Sequence, residues 1–377
     1  MRFTLLIGLT IALANHSAIA AETKPDTLER KIARMLLVGT RGAEVKAGGD
    51  FERFVCGLGV GGVLLFDRTA VGKKRKRNIL SRSQLESLTE SLQALAERCG
   101  DAPLLIAADV EGGRVNRLSG LEGFDDVKSP AWLGERPERR TYDEGARVAD
   151  ALHLSGVNWN LAPVVDVDIN PENPVISKLG RSFSPEPSVV STHAKAFVRA
   201  HRERGVLTCL KHFPGHGSSR NDSHKGAVDI TLTADPDSEL QPYRDMLYSG
   251  LVDCVMPGHL YNRDIDAKNM VTLSSAAIQG LLREELGFDG IVLSDDMQMG
   301  AVKKTLPIGE AAVQAVLAGV DMLTLSYSRA RKRRGAAHTV HRALVKAVKE
   351  GRLPEERIDE ANRRILELKS RLEEKIP

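Results

Sequence analysis

Short apolar runs recur along the whole chain, and each is followed by turn residues and then by a stretch with helical spacing. The runs are Met35–Gly39, Val60–Phe66, Leu104–Asp109, Val157–Val165, Val206–Lys211, Cys254–Gly258, Ile291–Asp295 and Val320–Leu325. Ser81–Arg98, Asp143–Leu154, Ser188–Arg204 and Ile308–Leu317 are amphipathic stretches between them. Near-continuous apolar strands are buried on both faces, and strand–helix alternation covers a parallel sheet with helices. Eight such units, without a Gly-rich nucleotide fingerprint, predict a closed (β/α)8 barrel of the TIM type rather than an open doubly wound sheet. The tail Glu355–Glu374 reads as a charged amphipathic helix packed on the outside.

At 377 residues the chain is long enough for two domains, but no Pro/Ser-rich linker or low-complexity tract divides the series. One domain is therefore expected. A hydrophobic fraction of 42% excludes a mainly disordered chain, and a formal charge of +3 excludes a general nucleic-acid coat. The first residues form a separate element. Arg2, the apolar run Phe3–Ala14 and the small-x-small pattern Ala18-Ile19-Ala20 predict a cleaved secretory signal at 1–20, leaving 21–377 as the catalytic barrel. The run is too short to span a membrane, and no cysteine follows the cut to carry a lipid. The expected destination is the periplasm or the medium. In that oxidising setting Cys56 and Cys99, each before a strand, either pair or stay free. Cys209 and Cys254, inside strands, read as buried apolar thiols.

A barrel of this kind builds its site from loops at the strand C-termini. Polar residues gather there. The third strand ends in Asp109-Val110-Glu111-Gly112-Gly113, with Arg117 close behind, and the fourth runs into Asp166 and Asp168 before Gly180-Arg181-Ser182-Phe183. The fifth ends in Lys211-His212-Phe213-Pro214-Gly215-His216-Gly217 and continues to Asp222-Ser223-His224, the sixth reaches His259, and the seventh ends in Ser294-Asp295-Asp296. A carboxylate at the position of Asp295 can attack an anomeric carbon and form a glycosyl-enzyme, while Asp296 suits a helix-capping role at least as well. A free imidazole titrates near pH ~6.5, so His224 can give a proton to a leaving oxygen and then take one back. Residues i and i+2 of an extended loop point the same way, so Asp222 can orient that ring. Asp109, Arg117, Lys211 and His212 would then hold sugar hydroxyls. Arg181 reads either as a ligand clamp or as the salt-bridge partner of Asp166 or Asp168. His216 and His259 read as scaffold.

The segments ADVEGGRVNRL, NLAPVVDVD, GRSFSPEP, KHFPGHGSSRNDSH, LREELGFDGIVLSDDMQMGA and AGVDMLTLS occur in the order seen in glycoside hydrolase family 3. The chain resembles the β-N-acetylhexosaminidase branch of that family, which includes single-domain peptidoglycan-recycling N-acetylglucosaminidases. The resemblance covers nearly all of 21–377, and KHFPGHG followed by DSH is its most specific part. It implies retaining, cofactor-free and metal-free exo-hydrolysis of terminal β-linked N-acetylglucosamine from cell-wall (muropeptide) or chitin-like fragments. It makes Asp295 the nucleophile, His224 the acid/base and Asp222 its partner, and it places Asp109, Arg117, Arg181, Lys211 and His212 on the sugar. Family β-glucosidases usually add a second domain, for which this chain leaves no room; the proton donor is then expected on the barrel's own loop. Two departures are visible. Recycling enzymes of the branch are typically cytoplasmic, whereas this chain starts with an export signal, and DSHKGAVDI lacks the proline that often follows the histidine loop.

Three other readings remain. A family β-glycosidase or phosphorylase of different sugar specificity would keep the same residues, with phosphate as acceptor in the latter. A non-catalytic sugar-binding protein is opposed by the intact Asp295, Asp222 and His224. A metal-dependent hydrolase using His212, His216, His224 and His259 would commonly show a His-x-His pair after the first strand, where this chain has Val38-Gly39-Thr40. The basic runs Lys73–Arg77 and Arg331–Arg334 follow the second and eighth strands, neighbours in a closed barrel. They read as solvated helix-start loops or as a sector that attracts anionic muropeptides. No nucleic-acid partner and no stable membrane insertion after cleavage are expected.

Overall fold

A computed structural model describes residues 26–68, 76–101, 103–329 and 335–373. The expected leader 1–20, and the basic residues Lys73–Arg75 and Arg331–Arg334, lie outside these described residues.

Each of the eight apolar runs contains a strand: β1 (Leu36–Gly39), β2 (Gly62–Leu64), β3 (Leu105–Ala108), β4 (Trp159–Asn160), β5 in two segments (Leu207–Thr208 and Leu210–Phe213), β6 (Cys254–Pro257), β7 (Ile291–Val292) and β8 (Leu323–Leu325). One sheet has the order β8-β1-β2-β3-β4-β5 and a second the order β7-β6-β5, with every pairing parallel. The first segment of β5 pairs with β4 and the second with β6, so this strand belongs to both sheets. Single parallel bridges add Val164 to Lys211 and Leu293 to Met322. The sheet residues are buried throughout, and one continuous apolar core joins them to the surrounding helices. This double-sided burial explains the near-continuous apolar runs.

The helices follow the stretches with helical spacing. Arg82–Cys99 opens on Ser81, whose hydroxyl accepts the Gln84 N–H, and closes on Gly100 in the left-handed region. It turns Leu85, Leu88, Leu92 and Leu95 inward. At the strand N-termini, buried Asp321 accepts from Arg283 (2.7 Å), Arg357 (2.6 Å) and Arg364 (3.3 Å). Two of those arginines belong to the expected C-terminal helix, Glu355–Ser370.

All four cysteines are paired. Cys56 bonds Cys99, with Cα atoms 5.2 Å apart. Cys209 bonds Cys254 at a Cα separation of 4.4 Å, which corrects the expectation of two independent thiols. The reason is topological: Cys209 lies between the segments of β5 and Cys254 opens β6, the adjacent strand.

Candidate active site

The end of β3 turns back on itself. Val110–Gly112 pairs antiparallel with Val115–Asn116, through Gly112 (φ 103°) and Gly113 (φ 55°). Both backbones lie in the region that glycine enters without cost. At Gly112 a Cβ would also sit 2.1 Å from the Lys128 carbonyl oxygen. The hairpin places Asp109 and Glu111 opposite Lys211, the second residue of β5's Leu210–Phe213 segment.

Lys211 Nζ donates to Asp109 Oδ1 at 2.9 Å and stands 2.7 Å from Glu111 Oε1. Arg181 grips Glu111 from the other side, Nε to Oε2 at 2.7 Å and Nη2 to Oε1 at 2.8 Å. Burial works to raise the Glu111 carboxyl, but Arg181 and Lys211 outweigh it and hold it far below the usual range. Arg181 therefore does not pair with Asp166 or Asp168. Asp166 is occupied by the histidine loop, and Asp168 accepts from Ser177 Oγ. Arg117 is looser, with Nε 3.7 Å from Asp109 Oδ2 and its guanidinium 5.4 Å over the Phe66 ring.

Asp166 organises the end of β5. Its oxygens accept the backbone N–H groups of His212 (3.0 Å) and His216 (2.8 Å), and Oδ2 lies 2.7 Å from His212 Nδ1. Burial opposes ionisation of Asp166, yet the His212 contacts win and its pKa is lowered. A carboxylate facing Nδ1 makes that nitrogen the donor and leaves Nε2 as the free end of the His212 ring. His216 is buried with both ring nitrogens engaged, Nδ1 by Ser219 Oγ (2.6 Å) and Nε2 by Ser223 Oγ (3.2 Å). Burial, with His212 close by, lowers its pKa to about 4.

Asp295 follows β7, and its Oδ1 accepts the Asp296 N–H at 2.7 Å, leaving Oδ2 available. Burial alone would raise its carboxyl. The imidazoles of His259, His212 and His224 outweigh this and bring the pKa down to about 2. Buried His259 stands 3.1 Å through Nε2 from the Asp296 carbonyl and 2.9 Å through Nδ1 from Thr272 Oγ1. A carbonyl only accepts, so Nε2 carries the hydrogen. Asp296 is tied elsewhere: it accepts from Gln298 N–H and from the Ser326 backbone and hydroxyl, linking the turn after β7 to the end of β8. It does not cap the following helix, Gly300–Lys303, which opens on Met299.

Asp222 and His224 meet, with Oδ1 2.9 Å from His224 Nδ1. The same oxygen accepts the His224 backbone N–H at 2.9 Å. The contact therefore comes from a tight turn, not from an extended loop as its i, i+2 spacing suggested. Asp222 is lowered in pKa: burial opposes this, and the His224 N–H and ring prevail. His224 is exposed on a cleft of about 610 Å³ whose walls include Arg41, Arg77, Lys303 and Tyr327. Arg77 is buried and donates to the carbonyls of Thr40 (3.0 Å) and Ser326 (2.9 Å), its guanidinium 4.4 Å over the Phe66 ring. Burial is the main cause that lowers Arg77 to about 10.

The structure thus forms three groups: Asp109, Lys211, Glu111, Arg181 and Arg117; His212 with Asp166; and Asp222 with His224. Asp295 stands apart from them, its pKa lowered by the imidazoles of His259, His212 and His224. Sequence reasoning left Glu111 without a role, although it sits in the same Asp-x-Glu-Gly-Gly run as Asp109. It also treated Asp166 only as a candidate partner for Arg181.

The family model described as "Glycosyl hydrolase family 3 N terminal domain" matches residues 27–368. The chain belongs to glycosyl hydrolase family 3. Among its relatives, Beta-hexosaminidase A of Pseudoalteromonas piscicida is 30% identical over 349 residues, covering 86% of this chain and 55% of that one. Beta-hexosaminidase LpqI of Mycobacterium tuberculosis is 31% identical over 346 residues, covering 90% of this chain and 82% of its own. Among solved structures, a family 3 β-N-acetylglucosaminidase from Paenibacillus sp. str. FPU-7 superposes with a TM-score of 0.84 at 35% identity, covering 92% of this chain and 63% of that one. The chain thus spans about half of the first relative and under two thirds of the Paenibacillus enzyme.

Proposed function

We propose that this protein is a retaining exo-β-N-acetylhexosaminidase that releases terminal β-linked N-acetylglucosamine. The observation that carries this reading is the Asp222–His224 pair, Oδ1 2.9 Å from Nδ1, on a loop hydrogen-bonded at Gly300 and Ala301 to the segment that follows Asp295, whose carboxyl the imidazoles around it lower. Asp295 Oδ2 attacks C1 of the sugar while the C1–oxygen bond to the leaving group breaks. His224 Nε2–H protonates the departing oxygen. Asp222 accepts the Nδ1–H, which fixes the ring's orientation, and stabilises the imidazolium form, the one in which Nε2 also carries a proton to give. Water then enters, His224 takes its proton, and the hydroxyl displaces Asp295 from C1. Asp109, Arg117, Arg181, Lys211 and His212 hold the sugar hydroxyls, with Glu111 fixing the two buried cations. The names of the relatives support the N-acetylhexosaminide preference.

The parallel order of both sheets, the sharing of β5 and the single bridges support a closed (β/α)8 barrel with this site at the strand C-termini. The match over 27–368 is in keeping with a single catalytic unit over 21–377. Arg41, Arg77 and Lys303 around the cleft beside His224 favour leaving groups with an anionic substituent, as in muropeptides. Two disulfides support an exported, periplasmic or secreted protein. Among the described residues no helix is long and apolar enough to cross a membrane.

The test is hydrolysis of an aryl β-N-acetylglucosaminide beside the matching β-glucoside, for wild type and Asp295→Ala. The expected result is preference for the N-acetyl sugar and a loss of at least ~10³-fold in the variant, about 4 kcal/mol of transition-state stabilisation. Equal turnover by wild type and variant removes Asp295 as nucleophile, and equal turnover of the two sugars removes the hexosaminide preference.

A further inference from the structure

The loop bearing Asp222 and His224 is held against the turn that leads away from Asp295. Gly300 N–H donates to the His224 carbonyl at 3.2 Å, and Ala301 N–H to the Ser223 carbonyl at 3.3 Å. Lys304 Nζ reaches the Lys225 carbonyl at 2.8 Å. From the other side, His216 Nε2 lies 3.2 Å from Ser223 Oγ. Three consecutive carbonyls, Ser223 to Lys225, therefore accept from the segment Gly300–Lys304. His224 itself has an exposed ring and Lys225 an exposed side chain, so little apolar burial holds this stretch in place.

Gly300 is what permits the approach. A Cβ there would lie 2.6 Å from the His224 carbonyl oxygen and 2.9 and 3.0 Å from the Lys225 carbonyl carbon and oxygen. These neighbours are backbone atoms and give way only if the loop moves. Gly300 is not among the glycines with positive φ, so its conformation is open to any residue. The missing side chain serves proximity rather than backbone freedom.

We propose that Gly300 and Lys304 are positioning residues for the acid/base, setting the distance from His224 to the departing oxygen through the backbone of its loop. The inference rests on the reading of His224 as proton donor. Asp295 is fixed at the end of β7 by the Asp296 N–H, a contact that does not involve the His224 loop, so a side chain at 300 displaces the donor and spares the nucleophile. Proton donation matters most when the leaving oxygen is basic and little when it leaves as a stable phenolate. A positioning defect therefore grades with leaving-group basicity, whereas a general loss of folded enzyme lowers every substrate by one factor.

The experiment measures kcat/KM, which reports the glycosylation step, for Gly300→Ala, Lys304→Met, His224→Ala and wild type. The substrates are aryl β-N-acetylglucosaminides running from 2,4-dinitrophenyl to phenyl. A donor displaced by about 1 Å costs on the order of 10²-fold with the phenyl leaving group, and Gly300→Ala should stay within about twofold of wild type with dinitrophenyl. Lys304→Met should show the same slope with a smaller loss, and His224→Ala the steepest slope. A graded loss for His224→Ala with an even loss, or none, for both Gly300→Ala and Lys304→Met overturns the positioning role. An even loss for His224→Ala overturns the acid/base reading itself.

Discussion

Arg181 clasps Glu111 through two nitrogens, at 2.7 and 2.8 Å, on a carboxylate that Lys211 also meets at 2.7 Å. Both cations are buried, so the carboxylate compensates two charges that have left water. Glu111→Ala leaves them facing each other and should cost about 3–5 kcal/mol of stability. The Glu111 carboxyl is held below its ordinary range. Its contribution is present above the unfolded pKa of about 4.3 and is lost as pH falls toward the lower folded value. Urea unfolding of wild type and variant at pH 7 checks the magnitude. A wild-type advantage that shrinks only in strong acid checks the sign.

Glu239 shows the opposite shift. Its carboxylate accepts from Ser218 N–H (3.1 Å), Ser218 Oγ (3.2 Å) and Asp235 N–H (3.1 Å), beneath the turn at Gly215. Burial, partly offset by those donors, raises it to about 7. A raised folded pKa means stability present below the unfolded value and lost as pH rises through the folded one. Between pH ~4.5 and ~7 the wild type should lose up to about 3 kcal/mol that Glu239→Gln retains. Thermal midpoints of both proteins at pH 5 and pH 8 measure this; parallel curves would refute it.

With both disulfides formed, the unfolded protein should show no reactive thiol until a reductant is added, and then four. The bonds close loops of sequence separation 43 and 45, each worth about 4 kcal/mol of denatured-state entropy. Cys209→Ala with Cys254→Ala should lower the unfolding midpoint under oxidising conditions and make no difference once wild type is reduced. Detection of two thiols without reductant would break one of the pairings.

The eight strands were legible because burial on both faces leaves a local mark: apolar runs of five to nine residues, too short for helices of their own, alternate with stretches of helical spacing. Asp222 and His224 were legible as a pair because the contact is local, two residues apart, although the turn that makes it was misjudged as extended chain. Arg181 shows the other case. Its neighbours in sequence offered Asp166 and Asp168, but the hairpin at Gly112-Gly113 carried Glu111 to it from 70 residues away. Cys209 and Cys254 are likewise joined by the adjacency of two strands, which neither strand records.

By itself the sequence determined the periodicity, and with it the strands, the helices and the rim on which polar residues collect, since each depends on residues within a few positions. It also carried the family motifs. Which carboxylate meets which cation, which cysteines bond, and how near the His224 loop comes to the turn after Asp295 were decided only by the tertiary structure. These are contacts between segments brought together by sheet order and closed to a fraction of an ångström by backbone geometry, as at Gly300, and no single segment encodes the distance to another.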